Sequence, residues 1–247
     1  MKIHFLLLVI TAHLSALFSS CQKQGTSSGS QEPPKEISHP LKVISDEDFL
    51  NNKGVFYLYY FIPDSVFERM KGRSFPEGCE ISKEDLIYLK VKHYGFDGEV
   101  HVGELVVSRK MSNVVSDIFT DLFNIKYPIE KIRLIDEYDA DDEASMKDNN
   151  TSAFCYRKIA GSEKLSMHAQ GLAIDINPLY NPCVSYKDGK VSKVEPKEGE
   201  QYIERDPSDP RRIKRDDPCY RIFMDYGFTW GGDWKTKKDY QHFEYSK

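Results

Sequence analysis

The pattern of hydrophobic and polar residues predicts three β-strands in the first half of the folded region. Aromatic and β-branched residues dominate GVFYLYYFI (54–62), a composition typical of a strand. YLKVKHYGF (88–96) and EVHVGELVV (99–107) alternate with a period of two, and the Asp97-Gly98 pair between them favours a tight turn. The second and third strands are therefore predicted to form a β-hairpin.

Helical and alternating patterns follow this hairpin. Hydrophobic residues recur at helical spacing in SNVVSDIFTDLFNI (112–125), where Ser112 is suited to cap the first turn. IEKIRLIDEY (129–138) alternates and predicts another strand, whereas YRIFMDYGF (220–228) predicts a helix that ends near Gly227. Because strands and helices do not alternate regularly along the chain, we predict an α+β fold with an antiparallel sheet.

The segment 184–218 is mostly polar and contains several prolines that interrupt regular structure. Within it, Asp188-Gly189 predicts a hairpin turn. We interpret the segment as a long excursion from one domain rather than as a second domain. The chain of 247 residues is 40% hydrophobic, which is enough for one sizeable core.

The N-terminus has the pattern of a secretory signal, with a basic start, an apolar run (5–18) and small residues before Cys21. The run is shorter than the roughly 20 residues that a membrane-spanning helix needs. LFSSC resembles the end of a bacterial lipoprotein signal, which implies a signal peptide at 1–20 and a lipid on Cys21. The alternative is an ordinary signal peptide cleaved nearby. Residues 21–40 are polar and predict a flexible tether, which leaves one folded domain at 41–247.

Charge and cysteine content narrow the class of protein. The net charge of −5 and the absence of a strongly basic block argue against nucleic acid as the main partner, and we expect a monomer. With Cys21 set aside, an even number of cysteines remains, which in an exported protein suggests disulfides. The pairing of Cys79, Cys155, Cys183 and Cys219 is open. We favour a Cys183–Cys219 bridge, which would close the polar excursion.

SMHAQGLAID (166–175) contains a histidine and an aspartate, both of which can bind a metal ion. On one helix His168 and Asp175 would lie roughly 10 Å apart, too far for a single zinc ion with bonds of about 2 Å. Gly171 can instead bend the chain, and LAIDI (172–176) alternates so that its aspartate points away from the apolar face. A turn at this glycine would fold His168 back toward Asp175.

DYQHFEY (239–245) supplies what a catalytic zinc site still lacks, a third ligand and a base beside the bound water. His242 is the candidate ligand and Asp239 the candidate base. Because residues three apart in a regular strand face opposite ways, Asp239 is expected in a turn or bulge at the start of that strand. We interpret His93 as structural and His101 as a strand residue near the cleft, where contact with substrate stays open.

The pattern S-x-H-x-x-G-x-A-x-D, which starts at Ser166, is followed near the C-terminus by D-x-x-H-F-E, which starts at Asp239. Together they resemble the VanY-type zinc peptidases, which include D-alanyl-D-alanine carboxypeptidases, D-alanyl-D-alanine dipeptidases and L-alanyl-D-glutamate endopeptidases of bacterial cell walls. The resemblance is tightest over 149–178 and 227–244, within a region of likeness at 145–247. It implies a fold shared with the hedgehog signalling domain, a small antiparallel sheet with helices packed on one side.

The resemblance also assigns roles by position. It implies one zinc ion per chain, held by His168, Asp175 and His242. Asp239 would be the catalytic carboxylate, and Arg157 would act in catalysis by binding the carbonyl or carboxylate group of the substrate. Two neutral histidines and one carboxylate leave a zinc site positive, so a bound water is expected to lose its proton near pH ~7.

Several further residues allow two interpretations from sequence. Ser166 is a candidate substrate-binding residue, but its hydroxyl can equally bond the backbone of the metal site. Glu244 is either a hydrogen-bond partner of a ligand histidine or a surface residue. The acidic run DEYDADDE (136–143) is interpreted as a solvated turn rather than a calcium loop, and Trp230 and Trp234 as packing residues.

The resemblance implies a zinc metallopeptidase that hydrolyses peptidoglycan stem peptides, by D,D-carboxypeptidase or L-Ala-D-Glu cleavage. The N-terminal lipid would anchor it to a membrane, facing the periplasm or the cell exterior. Its expected partners are therefore peptidoglycan peptides and that membrane. The alternative is a catalytically silent zinc-binding module for the cell wall or a partner protein, although such a module does not need Asp239. A peptidase for ordinary L-peptides is a second alternative.

Overall fold

The computed structural model describes residues 43–159 and 161–246. The signal peptide expected at 1–20, the lipidated Cys21 and the tether expected at 21–40 lie outside the described residues. Among the helices of the described ranges, none is both long and apolar enough to cross a bilayer.

The first sheet holds the three strands predicted in the N-terminal half. β1 (Tyr57–Phe61), β2 (Leu86–Tyr94) and β3 (Val100–Ser108) pair antiparallel in that order. Two short helices, α1 (Asp46–Asn51) and α2 (Asp64–Met70), precede and follow β1. The predicted hairpin of β2 and β3 is confirmed.

The helix predicted at 112–125 is α3 (Ser112–Asn124), which packs against β2. Ser112 is its first residue and not its cap. Met111 occupies the N-cap position, and the Ser112 hydroxyl donates to the Arg109 carbonyl oxygen at 3.1 Å. The helix face toward the sheet is at most 1% exposed at Val115, Ile118, Phe119 and Leu122.

The strand predicted at 129–138 is wrong except for two residues. β4 (Lys131–Ile132) pairs parallel with β5 (Asn150–Thr151), and the chain then enters a 3-10 helix. Within that helix the Asp136 carboxylate accepts hydrogen bonds from the amide and the hydroxyl of Ser74, each at 3.0 Å. These bonds hold the 3-10 helix to a residue distant in sequence, a contact that no local pattern indicates.

Helix α4 (Asp142–Lys147) begins inside the acidic run 136–143. Asp141 caps it by accepting a hydrogen bond from the Ala144 amide at 3.0 Å. Asp136 is only 7% exposed. The interpretation of this run as a solvated turn is confirmed for its exposed middle, where residues 139–140 form a turn, but it is wrong for Asp136, which is buried, and for Asp142, which begins the helix.

The polar excursion starts with a second sheet. β7 (Cys183–Lys187) and β8 (Lys190–Glu195) form a hairpin, and β10 (Lys237–Asp239) pairs with the other edge of β7. Asp188 and Gly189 both have positive φ, 52° and 74°, a conformation that a tight hairpin turn requires. The predicted turn is confirmed.

The third sheet lies at the C-terminal end of the chain. β6 (Ala173–Asp175) and β9 (Phe228–Trp230) pair antiparallel with opposite edges of β11 (His242–Tyr245). Helix α5 (Pro218–Asp225) packs against this sheet, and its Phe223 ring stacks on a phenylalanine ring of β11 with centroids 4.1 Å apart. The helix predicted at the start of this region is confirmed, although it begins two residues earlier.

The α+β class is confirmed, and within the described ranges three antiparallel sheets of three strands replace the single sheet that was expected. Helices α3 and α5 contact each other. One core of buried side chains joins them to strands of the first and third sheets. The third sheet is thereby fixed to the larger first sheet, and the candidate site is on the third.

The Cys183–Cys219 bridge is wrong in this structure, because all four cysteines of the described ranges are free thiols. Cys219 is fully buried in the first turn of α5, within the main core. Cys183 lies on β7 directly opposite Asp239. Burial raises the pKa of both thiols, which keeps them protonated and chemically inert.

Candidate metal centre

The bend predicted at Gly171 is present. A single turn of 3-10 helix at His168–Gln170 ends at this glycine, which has a φ of +65°. A Cβ at this position would lie 2.6 Å from the Ser108 backbone nitrogen of β3. Only glycine fits both the left-handed conformation and this close approach, so the turn returns the chain into β6 with His168 beside Asp175.

Ser166 fixes the start of the same turn. Its hydroxyl accepts a hydrogen bond from the Ala169 amide at 3.0 Å, and the residue is 6% exposed. Of the two interpretations from sequence, the structure shows the bond to the backbone of the metal site. The hydroxyl therefore stabilises the turn that presents His168.

Strand pairing brings the third candidate ligand to the first two. The register of β6 and β11 sets His242 directly opposite Asp175. His242 Nδ1 lies 2.9 Å from Asp175 Oδ1, and His168 Nε2 lies 3.3 Å from Asp175 Oδ2. The two ring nitrogens are 3.1 Å apart. Three donor atoms from two distant segments thus meet at one point, and all three side chains are at most 13% exposed.

The spacing of the donor groups suits one tetrahedral zinc ion. Two ligand atoms each about 2 Å from a zinc ion, at a tetrahedral angle, lie about 3.3 Å from each other. The two ring nitrogens are 3.1 Å apart, and each lies close to one oxygen of the Asp175 carboxylate, so that one ligand atom from each residue falls within 4.8 Å of the others. Two imidazoles and one carboxylate are also donors that zinc prefers, so the residues fit the ion.

Each imidazole ring donates a hydrogen bond on the side that faces away from the candidate metal position. His168 Nδ1 donates to the Ala153 carbonyl oxygen at 2.6 Å, and His242 Nε2 donates to Glu244 Oε1 at 3.0 Å. Each ring therefore turns its other nitrogen toward the centre, as metal-binding histidines with outer hydrogen-bond partners do. Sequence left two roles open for Glu244, and the structure places it behind a candidate ligand.

The electrostatics of the triad favour a cation at its centre. Burial by itself would raise the pKa of Asp175, but His168 and His242 outweigh burial and hold that pKa well below its usual range. Burial would lower the pKa of His242, but Asp175 and Glu244 raise it to about 10. Without a metal the triad thus holds a proton on His242, which a metal ion has to displace.

Asp239 lies beside the triad on a different strand from the one expected. It is the last residue of β10, and two residues separate it from His242 in β11, so the predicted bulge at the start of the ligand strand is wrong. Its side chain is 13% exposed, and within the described residues Oδ1 is buried without a hydrogen-bond partner. Burial and Asp175 raise its pKa against the opposing effects of His242 and Lys237.

A buried carboxylate oxygen without a hydrogen-bond partner can accept one from water or substrate. Gly231 allows the carboxylate to approach, because a Cβ there would lie 2.8 Å from Asp239 Cβ. The space next to this glycine is therefore taken by the candidate base.

A comparison with known families agrees with this geometry. Residues 160–245 match the family of D-alanyl-D-alanine carboxypeptidases. The matched segment contains the three candidate ligands and Asp239, and it leaves Arg157 and the first sheet outside. No curated protein and no solved structure gave a match.

Arg157, outside the segment that matches the carboxypeptidase family, lies near the triad but is already paired. Its Nε forms an ion pair with a carboxylate oxygen of Asp142, at the start of α4. Burial opposes the charge of Arg157, but Asp142 and Asp175 raise its pKa, so it stays a cation. The family resemblance implied a role toward substrate, and the structure shows a pairing with Asp142.

Trp234 is a site residue that sequence reasoning missed. Its ring centroid is 5.4 Å from that of His242, and the Lys237 ammonium lies 4.8 Å from the Trp234 ring centroid. Trp230, by contrast, is buried at 4% exposure and donates its indole N–H to the Tyr240 carbonyl oxygen at 2.9 Å. The packing role is confirmed for Trp230 alone.

Neither of the two other histidines of the folded domain joins the candidate centre. His93 is 3% exposed and its Nδ1 lies 2.9 Å from the Ile129 carbonyl oxygen, which supports a structural role. His101 is exposed and pairs with Asp97 at 3.0 Å. Both line a cavity of about 370 Å³ whose walls include none of the three candidate ligands.

Proposed function

We propose that this protein is a zinc-dependent metallopeptidase that hydrolyses the stem peptides of peptidoglycan. The observation that carries the proposal is the convergence of His168, Asp175 and His242, with a buried carboxylate oxygen beside them, Asp239 Oδ1, that has no hydrogen-bond partner within the described residues. A site that only stored or bound zinc would not need a buried acceptor next to the ligands. The similarity of residues 160–245 to D-alanyl-D-alanine carboxypeptidases supports the substrate class.

Zinc held by the triad would acidify a water molecule and polarise the carbonyl group of the peptide bond. The residues of the chain supply the proton chemistry. Asp239 accepts a proton from the attacking water and passes it to the leaving nitrogen as the carbon–nitrogen bond breaks. Burial raises the pKa of Asp239, and its Oδ1 has no hydrogen-bond partner within the described residues, so this oxygen is available to take the proton.

Arg157 is proposed to donate a hydrogen bond to the carbonyl oxygen as negative charge develops there. The ion pair with Asp142 supports this role because it holds the guanidinium in place before substrate arrives. A guanidinium has five N–H donors, so pairing with Asp142 leaves others for the substrate.

We also propose that the protein is exported and anchored to a membrane by a lipid on Cys21, facing the periplasm or the cell exterior. The support is the N-terminal pattern of basic start, apolar run and small residues before a cysteine. Labelling cells with a radioactive fatty acid tests it. Label that persists on a Cys21→Ala variant would contradict the proposal.

The test of the activity is a digest of purified muropeptides followed by mass spectrometry, with zinc and with a chelator. We expect loss of a terminal D-alanine or cleavage between L-alanine and D-glutamate, in the zinc sample only. An all-L peptide is the control for a general peptidase. Tight zinc binding without cleavage of any peptide would reject the proposal in favour of a silent binding module.

A further inference from the structure

We propose that Lys237 binds a free carboxylate on the leaving side of the cleaved bond, which restricts the enzyme to peptides whose leaving residue carries an α-carboxylate. The inference rests on the proposed peptidase activity and on the assignment of Asp239 as its base. It adds a substrate-binding group to the site and a chemical requirement on the substrate.

Lys237 lies on the same strand as the base and on the same face. It precedes Asp239 by two residues in β10, and side chains two apart in a strand share a face. The Lys237 ammonium is 3.4 Å from Asp239 Oδ2. The Trp234 ring lies next to both groups, with its centroid 4.8 Å from that ammonium and 5.4 Å from the centroid of the His242 ring. The ammonium is therefore part of the wall of the candidate centre.

The Lys237 ammonium is charged and has hydrogen-bond donors that Asp239 does not engage. Burial opposes its charge, but Asp239 and Cys183 raise its pKa, so it remains protonated. An ammonium offers three donors, and the 3.4 Å contact with Asp239 is a long one that engages a single donor. Because the Lys237 side chain is 43% exposed, the remaining donors can meet a substrate from solvent.

The path of the proton fixes which part of the substrate lies near this group. Asp239 passes a proton to the leaving nitrogen, so that nitrogen has to lie within hydrogen-bond reach of the carboxylate. In an α-amino acid, one carbon separates the nitrogen from the carboxyl group, which puts a carboxylate oxygen about 3 Å from the nitrogen. A cation 3.4 Å from the base is within reach of that oxygen.

Arg157 is less suited to this carboxylate. Its guanidinium is already paired with Asp142, and a second carboxylate would have to displace the first or share the charge. A neutral carbonyl oxygen makes no such demand. Each cation is therefore proposed to bind a different group of the substrate. Arg157 binds the carbonyl oxygen, and Lys237 binds the carboxylate.

Both candidate bonds of the stem peptide satisfy this requirement. Cleavage of D-alanyl-D-alanine releases a residue with a terminal carboxylate. Cleavage before a D-glutamate whose chain continues through its side chain releases a residue with a free α-carboxylate. An internal bond of an ordinary peptide has an amide at that position and would lack the contact.

The test compares acid and amide forms of two peptides, diacetyl-L-lysyl-D-alanyl-D-alanine and L-alanyl-γ-D-glutamyl-L-lysine. The amide form replaces the carboxylate that Lys237 is proposed to bind. The protein variants are Lys237→Met, which keeps the length of the side chain, and Lys237→Arg, which keeps the charge. Lys238→Met is the matched control, because the neighbouring Lys238 ammonium instead contacts the Gly232 carbonyl oxygen at 3.1 Å.

We expect the native protein to prefer the acid form by roughly 10- to 100-fold in kcat/KM, the range of a charged hydrogen bond. Lys237→Met should reduce that ratio to about 1, Lys237→Arg should retain part of it, and Lys238→Met should leave it unchanged. An undiminished ratio in Lys237→Met would overturn the inference. Equal losses for acid and amide would also overturn it, because Lys237 would then act on Asp239 alone.

Calorimetric binding of the same peptides to the metal-stripped protein separates this inference from the proposed activity. If zinc-loaded protein cleaves neither peptide, the proposed activity fails, and binding decides about Lys237. Tighter binding of the acid form that is lost in Lys237→Met supports the carboxylate site. Equal binding of acid and amide by the native protein overturns it.

Discussion

At the scale of single residues, the orientation of the ligand rings depends on groups that do not touch the metal position. The Ala153 carbonyl oxygen and the Glu244 carboxylate each take the outward proton of one imidazole. Sequence suggested the ligands from their spacing, but it could not decide whether Glu244 faces the site. The answer depends on the orientation of the His242 ring, which only the folded structure gives.

Glu244→Ala is expected to weaken zinc binding by roughly 10- to 100-fold, because His242 loses the acceptor that holds its ring and raises its basicity. Glu244→Gln keeps an acceptor oxygen and should lose less. Competition with a fluorescent chelator measures both affinities. Glu163→Ala, at an exposed glutamate that pairs with Lys158, is the control. Unchanged affinity in Glu244→Ala would show that the ring needs no such partner.

Asp239→Asn is expected to keep zinc and to lower kcat by roughly 10²- to 10⁴-fold, the usual contribution of a positioned base. The metal content of the variant and of the native protein is measured by mass spectrometry under non-denaturing conditions. Turnover is measured by release of the terminal amino acid. Asp233→Asn serves as control, since Asp233 pairs with Arg215 at 2.8 Å in the neighbouring loop. Similar turnover in Asp239→Asn and native protein would remove Asp239 from the proposed mechanism.

At the scale of elements, sequence predicts those that local patterns determine. The β2–β3 hairpin and helix α3 follow from residues within the segments themselves. The short β4 does not, because Asp136 bonds to Ser74, more than sixty residues earlier. The place of Asp239 likewise depends on the pairing of β10 with β7. Long-range pairing of this kind leaves no periodic mark in the sequence.

Gly171→Ala is expected to lower the free energy of unfolding by about 2–4 kcal/mol. The added Cβ would be strained in the left-handed conformation and would lie 2.6 Å from the backbone nitrogen of Ser108 in β3. Gly72→Ala is the matched control. Gly72 has a φ of +72° but open space around its Cβ position, so it should lose only about 1 kcal/mol. Urea denaturation measures both. Equal losses would mean that the approach to β3 is not the constraint.

At the scale of the whole molecule, a buried histidine couples the fold to pH. Burial lowers the pKa of His93 to about 4, although the hydrogen bond that its ring donates to the Ile129 carbonyl oxygen opposes this shift, and His101 lowers the pKa slightly further. The unfolded chain binds this proton near pH 6.5. Between those values the unfolded state holds more protons, so stability must fall as pH falls.

Because of His93, the free energy of unfolding is expected to fall by up to about 3 kcal/mol between pH 6.5 and pH 4. Urea denaturation at pH 7 and pH 5 should show a smaller pH effect for His93→Gln than for the native protein. His101→Gln, at an exposed histidine, should show the native effect. If His93→Gln does not fold, an NMR titration of the native imidazoles decides. A His93 pKa near 6.5 would refute the prediction.

The candidate centre is assembled from two sheets with separate tasks. Asp175 and His242 belong to the sheet of β6, β11 and β9, whereas Asp239 and Lys237 belong to the sheet of β10, β7 and β8. Along the chain, Tyr240 and Gln241 alone separate Asp239 of one sheet from His242 of the other. Metal affinity and proton transfer are therefore separable traits. If the proposed roles hold, we expect substitutions in the β7–β8 hairpin to alter substrate preference more than zinc affinity.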